Sequence, residues 1–355
     1  MNRVKFGDIV KDVKVNVDRM NNPYEYYVAG DHMDSEDLTI HRKGRFATDD
    51  VGPAFVRIFK PGQILYGSRR TYLKKVAVAD FSGICANTTF VFESKDHSIF
   101  DQRLLPFIML SDSFTSWSIS KSKGSTNPYV LFSDLADYEF DLPSLEEQKV
   151  LADKLWAAYR LKEGYKKLLC VTDEMVKSQF IEMFGNSRAQ QNSKLGRELF
   201  SFASGKANTK SNLDPSFQHN CYGGNGITGR SKEYLLKDRT IVIGRVGEYC
   251  GCVHQTTDYC WVTDNAIYLK TYPDVYRFEF IYHMFVMMDF HRFANETGQP
   301  KITQVPLLSC SYPIPSLAAQ DKFISITKQA DKSKFELKQC IENIDKVIKS
   351  LINGK

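Results

Sequence analysis

The sequence predicts a mixed α+β protein built as an internal duplication, in which two strand-rich domains are separated by two long helices. Three observations carry that prediction. Leu142-Pro143-Ser144-Leu145-Glu146-Glu147-Gln148 returns 172 residues later as Ile314-Pro315-Ser316-Leu317-Ala318-Ala319-Gln320. After the first copy, Leu151, Leu155, Ala158, Lys162, Tyr165, Leu169, Thr172 and Val176 alternate steps of four and three, the spacing of a coiled-coil seam. Phe323, Thr327, Ala330, Lys334, Leu337, Ile341, Ile344 and Ile348 repeat that seam after the second copy. Finally, the order of strands, helix and polar loop ahead of the first copy recurs ahead of the second.

Taken in order, residues 1–142 form the first domain. Strand-like runs at Tyr24–Val28, Ala54–Phe59, Ile64–Tyr66, Val76–Ala79 and Thr88–Phe92 are separated by Gly, Pro and Asp turn signals. Leu104–Trp117 reads as one helix, and a polar loop runs from Ser120 to Pro128. The first long helix occupies 143–185, with Gly185 as its C-cap. Residues 186–314 form the second domain. Here Ile241–Ile243 answers Ile64–Tyr66, the turn at Gly244-Arg245 answers Gly67-Ser68-Arg69, and Thr263–Ile267 answers Cys85–Thr89. Phe278–Phe293 is the matching helix, and Thr297–Thr303 the matching polar loop. The second long helix fills 315–355. Each helix is expected to run about 35 residues, or roughly 50 Å. An apolar stripe that long needs a partner, and the chain supplies one. Leu155, Ala158, Tyr165, Leu169 and Val176 are expected to face Ala330, Leu337, Ile341, Ile344, Ile348 and Leu351. The alternative is that each stripe faces a different partner subunit.

Composition narrows the class. At 355 residues, 43% of them hydrophobic and 13% aromatic, the chain is large enough for several cores and is not disordered. It has no apolar run long enough to span a membrane, and its first residues lack a signal peptide's apolar core. Eight cysteines without disulfide-framework spacing read as reduced thiols of a cytoplasmic protein. The net charge of +5 is mild. Residues 1–142 carry 18 basic and 19 acidic side chains, and residues 186–314 carry 14 and 11, so nucleic-acid binding must rest on local clusters.

Catalytic signatures fail when tested. Asn22-Pro23-Tyr24 and Asn127-Pro128-Tyr129 resemble the Asn-Pro-Pro-Tyr motif of amino-methyltransferases but lack its second proline, and no glycine-rich cofactor loop precedes them. Gly205-Lys206 has neither the earlier glycine nor the following Ser or Thr of a phosphate loop. Cys250, Cys252, His254 and Cys260 lack the paired knuckles of structural zinc and read as buried thiols. The polar glycine-bounded turns are better candidates, because Lys and Arg meet phosphates while Arg, Asn, Gln and Thr can also read base edges. They offer Arg69, Arg70, Lys121, Lys123, Thr126 and Asn127 in the first domain. The second domain offers Lys206, Asn225, Thr228, Arg230, Arg245, Gln299, Lys301 and Thr303.

The whole pattern resembles the DNA specificity subunit of type I restriction–modification systems. The resemblance covers the full chain. It is carried by Leu142–Gln148, Ile314–Gln320, Gly244-Arg245-Val246-Gly247 with Val262–Asn265, and Thr297-Gly298-Gln299-Pro300, with Gly62–Tyr66, Arg69–Leu73 and Phe81–Cys85 resembling another branch of the same family. It implies two target-recognition domains, each reading half of a bipartite asymmetric double-stranded DNA site. It also implies that the two helices pack antiparallel about a pseudo-two-fold and set the domain spacing. Two methyltransferase subunits would dock on this scaffold and two ATP-driven restriction subunits would join them. S-adenosylmethionine, ATP and magnesium would sit on those partners, leaving this chain without cofactor, metal or catalytic role. One departure is Ala318-Ala319 where the first helix has Glu146-Glu147. A stand-alone DNA-binding module and a duplicated protein-interaction scaffold remain open readings.

Overall fold

The computed structural model describes residues 2–18, 21–185, 192–209, 212–295 and 298–354. The expected start of the second domain at 186 and Thr297 lie outside them. Contacts divide the chain into two units, Met1–Lys166 with Lys338–Lys355, and Lys167–Leu337. Among the described residues no helix is long and apolar enough to cross a membrane.

The first unit is built on a four-stranded antiparallel sheet in the order Val10–Asp12, Thr89–Ser94, Ile64–Gly67, Val76–Val78. Alternation along its strands buries both faces. Ile64, Tyr66, Phe90 and Phe92 join one cluster with Phe6, Phe107, Phe114 and Leu135. Leu65, Val91 and Ala77 point the other way, into a second cluster with Val28, Met33, Phe59 and Cys85. That second cluster is covered by a sheet ordered Gly44–Arg45, Tyr26–Val28, Gly83–Ala86, Phe55–Phe59, whose middle pair is parallel. A ribbon of Asn2–Lys5 with Glu139–Leu142 ties the chain start to the strand that enters the long helix.

The second unit repeats the plan. Its four-stranded sheet runs Ser201–Ser204, Ala266–Thr271, Ile241–Gly244, Val253–Gln255, the same order and the same antiparallel sense. Ile241, Ile243 and Ile267 face one cluster while Val242 and Ala266 face another. The smaller sheet, Gly226–Ser231, His219–Gly223, Trp261–Val262, again has one parallel pair. Ser193–Leu195 with Ser311–Pro313 is the equivalent ribbon. Because Val28 pairs with Cys85 and Tyr222 with Val262, Cys85 answers Val262 and not Thr263, one residue from the register expected.

The helix expected at Leu104–Trp117 is broken. Leu105–Leu110 stops at extended Ser111, whose hydroxyl accepts from Phe114 N–H and starts a new helix at Asp112–Lys121. Phe278–Met287 likewise ends before Asp289, which is left-handed, and a 3-10 turn follows.

The long helices span Leu145–Phe184 and Leu317–Asn353. At 40 and 37 residues they are about 60 and 55 Å long. Ser144 and Glu147 cap the first reciprocally, with Ser144 N–H and Oγ both donating to Glu147 Oε2 at 2.9 and 2.8 Å. The second has only the serine half, Ser316 Oγ accepting from Ala319 N–H at 3.3 Å. One turn further in, the matching glutamines are both fully buried. Gln148 accepts from Asp101 N–H at 2.9 Å and donates to the carbonyls of Ile99 and Pro143 at 3.0 and 2.9 Å. Gln320 accepts from Arg277 N–H at 2.8 Å and donates to those of Val275 and Pro315 at 2.7 and 2.9 Å. The Pro-Ser-Leu-x-x-Gln motif is thus a helix start and a joint to the domain in front of it.

Within each unit a stretch of one helix lies along a stretch of the other. In the first, Leu155 and Ile348 are buried together, with Ala158, Ile344 and Leu351 against them, and Lys162 Nζ meets Asp345 Oδ1 at 2.6 Å. In the second, Val176 and Ala330 are buried, Phe180 and Phe184 meet Phe323 edge to face at 5.4 and 5.6 Å, and Lys334 Nζ meets Asp173 Oδ1 at 3.0 Å. Tyr165, Leu169, Leu337 and Ile341 are half-buried. Residue numbers rise on one helix as they fall on the other, so the pairing is antiparallel in each unit. The two ion pairs join the same repeat positions with the helices exchanged.

Candidate nucleic-acid interface

In the first domain two loops are sewn together by backbone hydrogen bonds. Ser68 N–H donates to Thr88 at 3.0 Å, Val130 N–H to Ser68 at 3.0 Å, and Arg70 N–H to Pro128 at 2.7 Å. Lys123 and Tyr129 exchange both of theirs. This holds Arg70 in the left-handed region at φ 51°, unusual for a residue with a Cβ. Its Nε donates to Asn127 Oδ1 at 3.2 Å, and Thr71 and Ser122 hydroxyls lie 3.2 Å apart. Arg69, Arg70, Lys121, Lys123, Thr126 and Asn127 are all exposed. The two lysines have local company: Lys121 Nζ sits 4.6 Å above the Trp117 ring, and Lys123 Nζ lies 3.0 Å from Asp134.

The second domain uses the same clamp. Arg245 N–H donates to Asn265 at 2.9 Å, Ile302 N–H to Arg245 at 2.9 Å, and Gly247 N–H to Pro300 at 2.8 Å. By these bonds Arg245 stands where the first domain has Ser68, while Gly247, at φ 89°, stands where it has Arg70. The hairpin turn Gly224-Asn225 lies against this clamp. A Cβ on Gly244 would fall 2.2 Å from the Tyr249 carbonyl oxygen and 2.4 Å from that of Gly224, so only glycine lets the three segments meet. Asn225, Arg245, Gln299 and Lys301 therefore gather at one end of the domain. Gln299 Nε2 is 3.6 Å from where a Gly247 Cβ would be, and Lys301 forms a bridge with Val246.

The other expected residues are more dispersed. Lys206 is exposed on a segment pressed against Val262, its N–H donating to the Val262 carbonyl at 2.9 Å. Thr228 and Arg230 lie along the hairpin strand away from the turn, Thr228 Oγ1 donating to the Cys221 carbonyl at 3.2 Å. Thr303 is exposed at the start of the short helix Gln304–Ser309. Sequence reasoning also passed over Tyr72 and Tyr249, exposed tyrosines two residues beyond Arg70 and Gly247. The signal was present but hidden, because the turns repeat at an offset of 177 residues while the helices repeat at 172.

Among the described residues no catalytic constellation is assembled beside these loops. Cys250 and Cys260 are buried, and burial pushes both thiols up, away from a reactive thiolate. Asp37, His41 and Glu163 bring ligand atoms within 4.8 Å of one another, but Lys166 Nζ already lies 2.8 and 2.9 Å from the two carboxylates.

The comparisons with known proteins agree with this plan. A family model described as type I restriction modification DNA specificity domain matches residues 16–169 and again 191–346. Over 142 residues the chain is 26% identical to the type I restriction enzyme EcoprrI specificity subunit of Escherichia coli, covering 38% of this chain and 35% of that protein. Over 90 residues it is 33% identical to the EcoDI specificity subunit of the same organism, covering 25% of this chain and 19% of the relative. The matches thus span about a third or less of those relatives. A solved chain from work on complex assembly and conformational transition of the type I R-M system superposes with a TM-score of 0.60 at 16% identity, over 99% of this chain and 96% of that one. The S subunit of a type I restriction-modification system from M. genitalium gives 0.58 at 17%, over 99% and 95%. At such identities the two solved structures speak to fold alone. The family domain is matched twice, once in each half of the duplication, and the chain belongs to the type I restriction modification DNA specificity family.

Proposed function

We propose that this chain is the non-catalytic, sequence-reading subunit of a type I restriction–modification enzyme working in the cytoplasm. Residues 1–142 and 186–314 are its recognition domains, each contacting one half of a bipartite duplex DNA target. The helices at 143–185 and 315–355 are the spacer and the platform for two methyltransferase subunits, which two restriction subunits join for cleavage. S-adenosylmethionine, ATP and magnesium belong to those partners. The observation that carries the reading is the clamp of two loops found in both domains, with exposed Arg69, Arg70 and Asn127 in one and Arg245, Gln299 and Lys301 in the other.

Arginine binds guanine or phosphate through two parallel bonds, and amide side chains read adenine. Because the two clamps carry different side chains on one backbone, the two half-sites differ. Methylation mapping of Arg69→Ala and Arg245→Ala, each assembled with the methyltransferase, tests this. Each variant is expected to relax a different half-site, at about 1–3 kcal/mol for a lost base contact. Relaxation of the same half-site by both would contradict the division of labour, and full specificity in both would place the reading surface elsewhere.

A further inference from the structure

The loop clamps share one side chain that the helices, the glycines and the arginines do not explain. Aligned by hydrogen bonds, Gly67-Ser68-Arg69-Arg70-Thr71-Tyr72-Leu73-Lys74 superimposes on Gly244-Arg245-Val246-Gly247-Glu248-Tyr249-Cys250-Gly251. Gly67 N–H donates to Lys75 as Gly244 N–H does to Cys252, and Leu73 N–H donates to Arg70 as Cys250 N–H does to Gly247. The left-handed residues also coincide: Arg70 at 51° with Gly247 at 89°, and Lys74 at 49° with Gly251 at 89°. Only the leading glycine and the tyrosine are the same residue in both. The glycine's reason is the backbone crowding at Gly244. The tyrosine has no such reason, since Tyr72 is 54% exposed and Tyr249 46%. Among the described residues neither ring has a hydrogen bond or an aromatic neighbour within the chain.

We propose that Tyr72 and Tyr249 are twin aromatic contacts, each packing its ring against the deoxyribose and base edges exposed in the groove of its own half-site. This deepens the function proposed above and rests on it. Three features favour the assignment. A single tight turn held between two left-handed residues fixes the direction in which each tyrosine leaves the backbone before any ligand arrives, so little main-chain freedom is lost on contact. Each tyrosine lies in the turn that holds polar groups expected to touch DNA: Tyr72 follows Arg70, which binds Asn127, by two residues, and Tyr249 follows Gly247, which Gln299 approaches, by two. In the second domain the main chain of Tyr249 also closes on the hairpin turn at Gly224, which places the ring's backbone at the end of the domain where those groups gather. Packing on the sugar supplies affinity that does not depend on base identity, leaving specificity to the side chains that differ between the clamps.

The test uses the full chain assembled with its methyltransferase subunits and a duplex carrying the target found by methylation mapping. Affinity is measured over a range of salt for Tyr72→Ala, Tyr249→Ala, the two Phe variants and Arg70→Ala. The Ala variants are expected to bind roughly ten- to a hundredfold more weakly, the Phe variants like the parent. The slope of affinity against salt should stay unchanged in the tyrosine variants, because an uncharged ring releases no counterions, and fall in Arg70→Ala. With 5-iododeoxyuridine placed in one half-site at a time, light should cross-link Tyr72 to one half and Tyr249 to the other. Parent-like binding by both Ala variants overturns the proposal, as does a loss accompanied by lower thermal stability, which would make the rings structural. If the parent assembly retains no duplex at all, the function itself fails and not only this contact.

Discussion

The two recognition domains make different use of one position in one framework. In both, a parallel strand pair sits beside an antiparallel neighbour, and the chain must cross from one strand to the next. The second domain crosses in two residues, Gly224-Asn225, and the resulting hairpin lies on the clamp. The first domain crosses between Val28 and Gly44 through a long segment that touches only the far end of the clamp turn, Glu36 N–H donating to the Lys74 carbonyl at 3.1 Å, and then runs on. That segment carries Asp37 to the first long helix. There its carboxylate accepts from Tyr159 Oη at 2.7 Å, Lys166 Nζ at 2.8 Å and Thr39 N–H at 3.0 Å. Tyr159 also accepts the Leu38 N–H at 2.9 Å. A duplicated fold can therefore use the same insertion point to cover the clamp in one copy and to anchor the domain in the other, because neither use disturbs the sheet beneath.

The shared part of the comparison predicts the largest and most equal effects. Gln148→Leu and Gln320→Leu each remove three part-buried hydrogen bonds made by a fully buried side chain. Each should cost about 3–5 kcal/mol in urea unfolding of the whole chain. Clearly unequal costs would break the equivalence of the two joints.

The unshared part should show in one domain only. Asp37→Asn is expected to cost about 2–3 kcal/mol, since it removes the charge on which Lys166 and Tyr159 converge. Burial alone would raise this carboxyl, but Lys166, Tyr159 and Thr39 outweigh it and hold it down at about 2. A depressed carboxylate stabilises the fold above its unfolded value near 4 and loses that contribution as pH falls toward 2. Stability measured between those limits should drop more steeply in the parent than in Asp37→Asn. Identical pH profiles would remove the anchor from the account.

The finest contrast lies at the left-handed position of the clamp. Gly247→Ala should destabilise by about 1 kcal/mol, while Arg70→Gly should cost little, because relief of backbone strain offsets the entropy gained by the unfolded chain. A thermal melt that ranks them the other way would mean that the two turns are not equivalent.

Much of the framework was legible because it is periodic or repeated. Seam positions such as Leu155 and Val176 lie where a step of four and three puts them, and the Pro-Ser-Leu-x-x-Gln copies mark both helix starts. What escaped depended on distant partners or on slips in the repeat. Asp37 is one acid among many until Tyr159, 122 residues later, is seen beside it. The break at Ser111 hid inside an apolar run whose helical period does not change, and only the serine hydroxyl marks it. Tyr72 and Tyr249 fell out of register because the turns and the helices repeat at different offsets. The clamps were visible as glycine-bounded polar turns, but that Arg245 answers Ser68 follows only from the bonds to Asn265 and Thr88.

The glutamine joints have a consequence for how such a chain can change. Every atom that Gln148 and Gln320 hold in the neighbouring domain is main chain: the N–H of Asp101 or Arg277 and the carbonyl of Ile99 or Val275. A socket made only of backbone is blind to the side chains that surround it. A domain of this fold with an unrelated surface can be plugged in ahead of either helix, provided its chain passes the glutamine in the same path. At these two joints the helices then need no compensating substitution, whereas side-chain contacts such as Asp37 with Tyr159 and Lys166 have to travel with the domain.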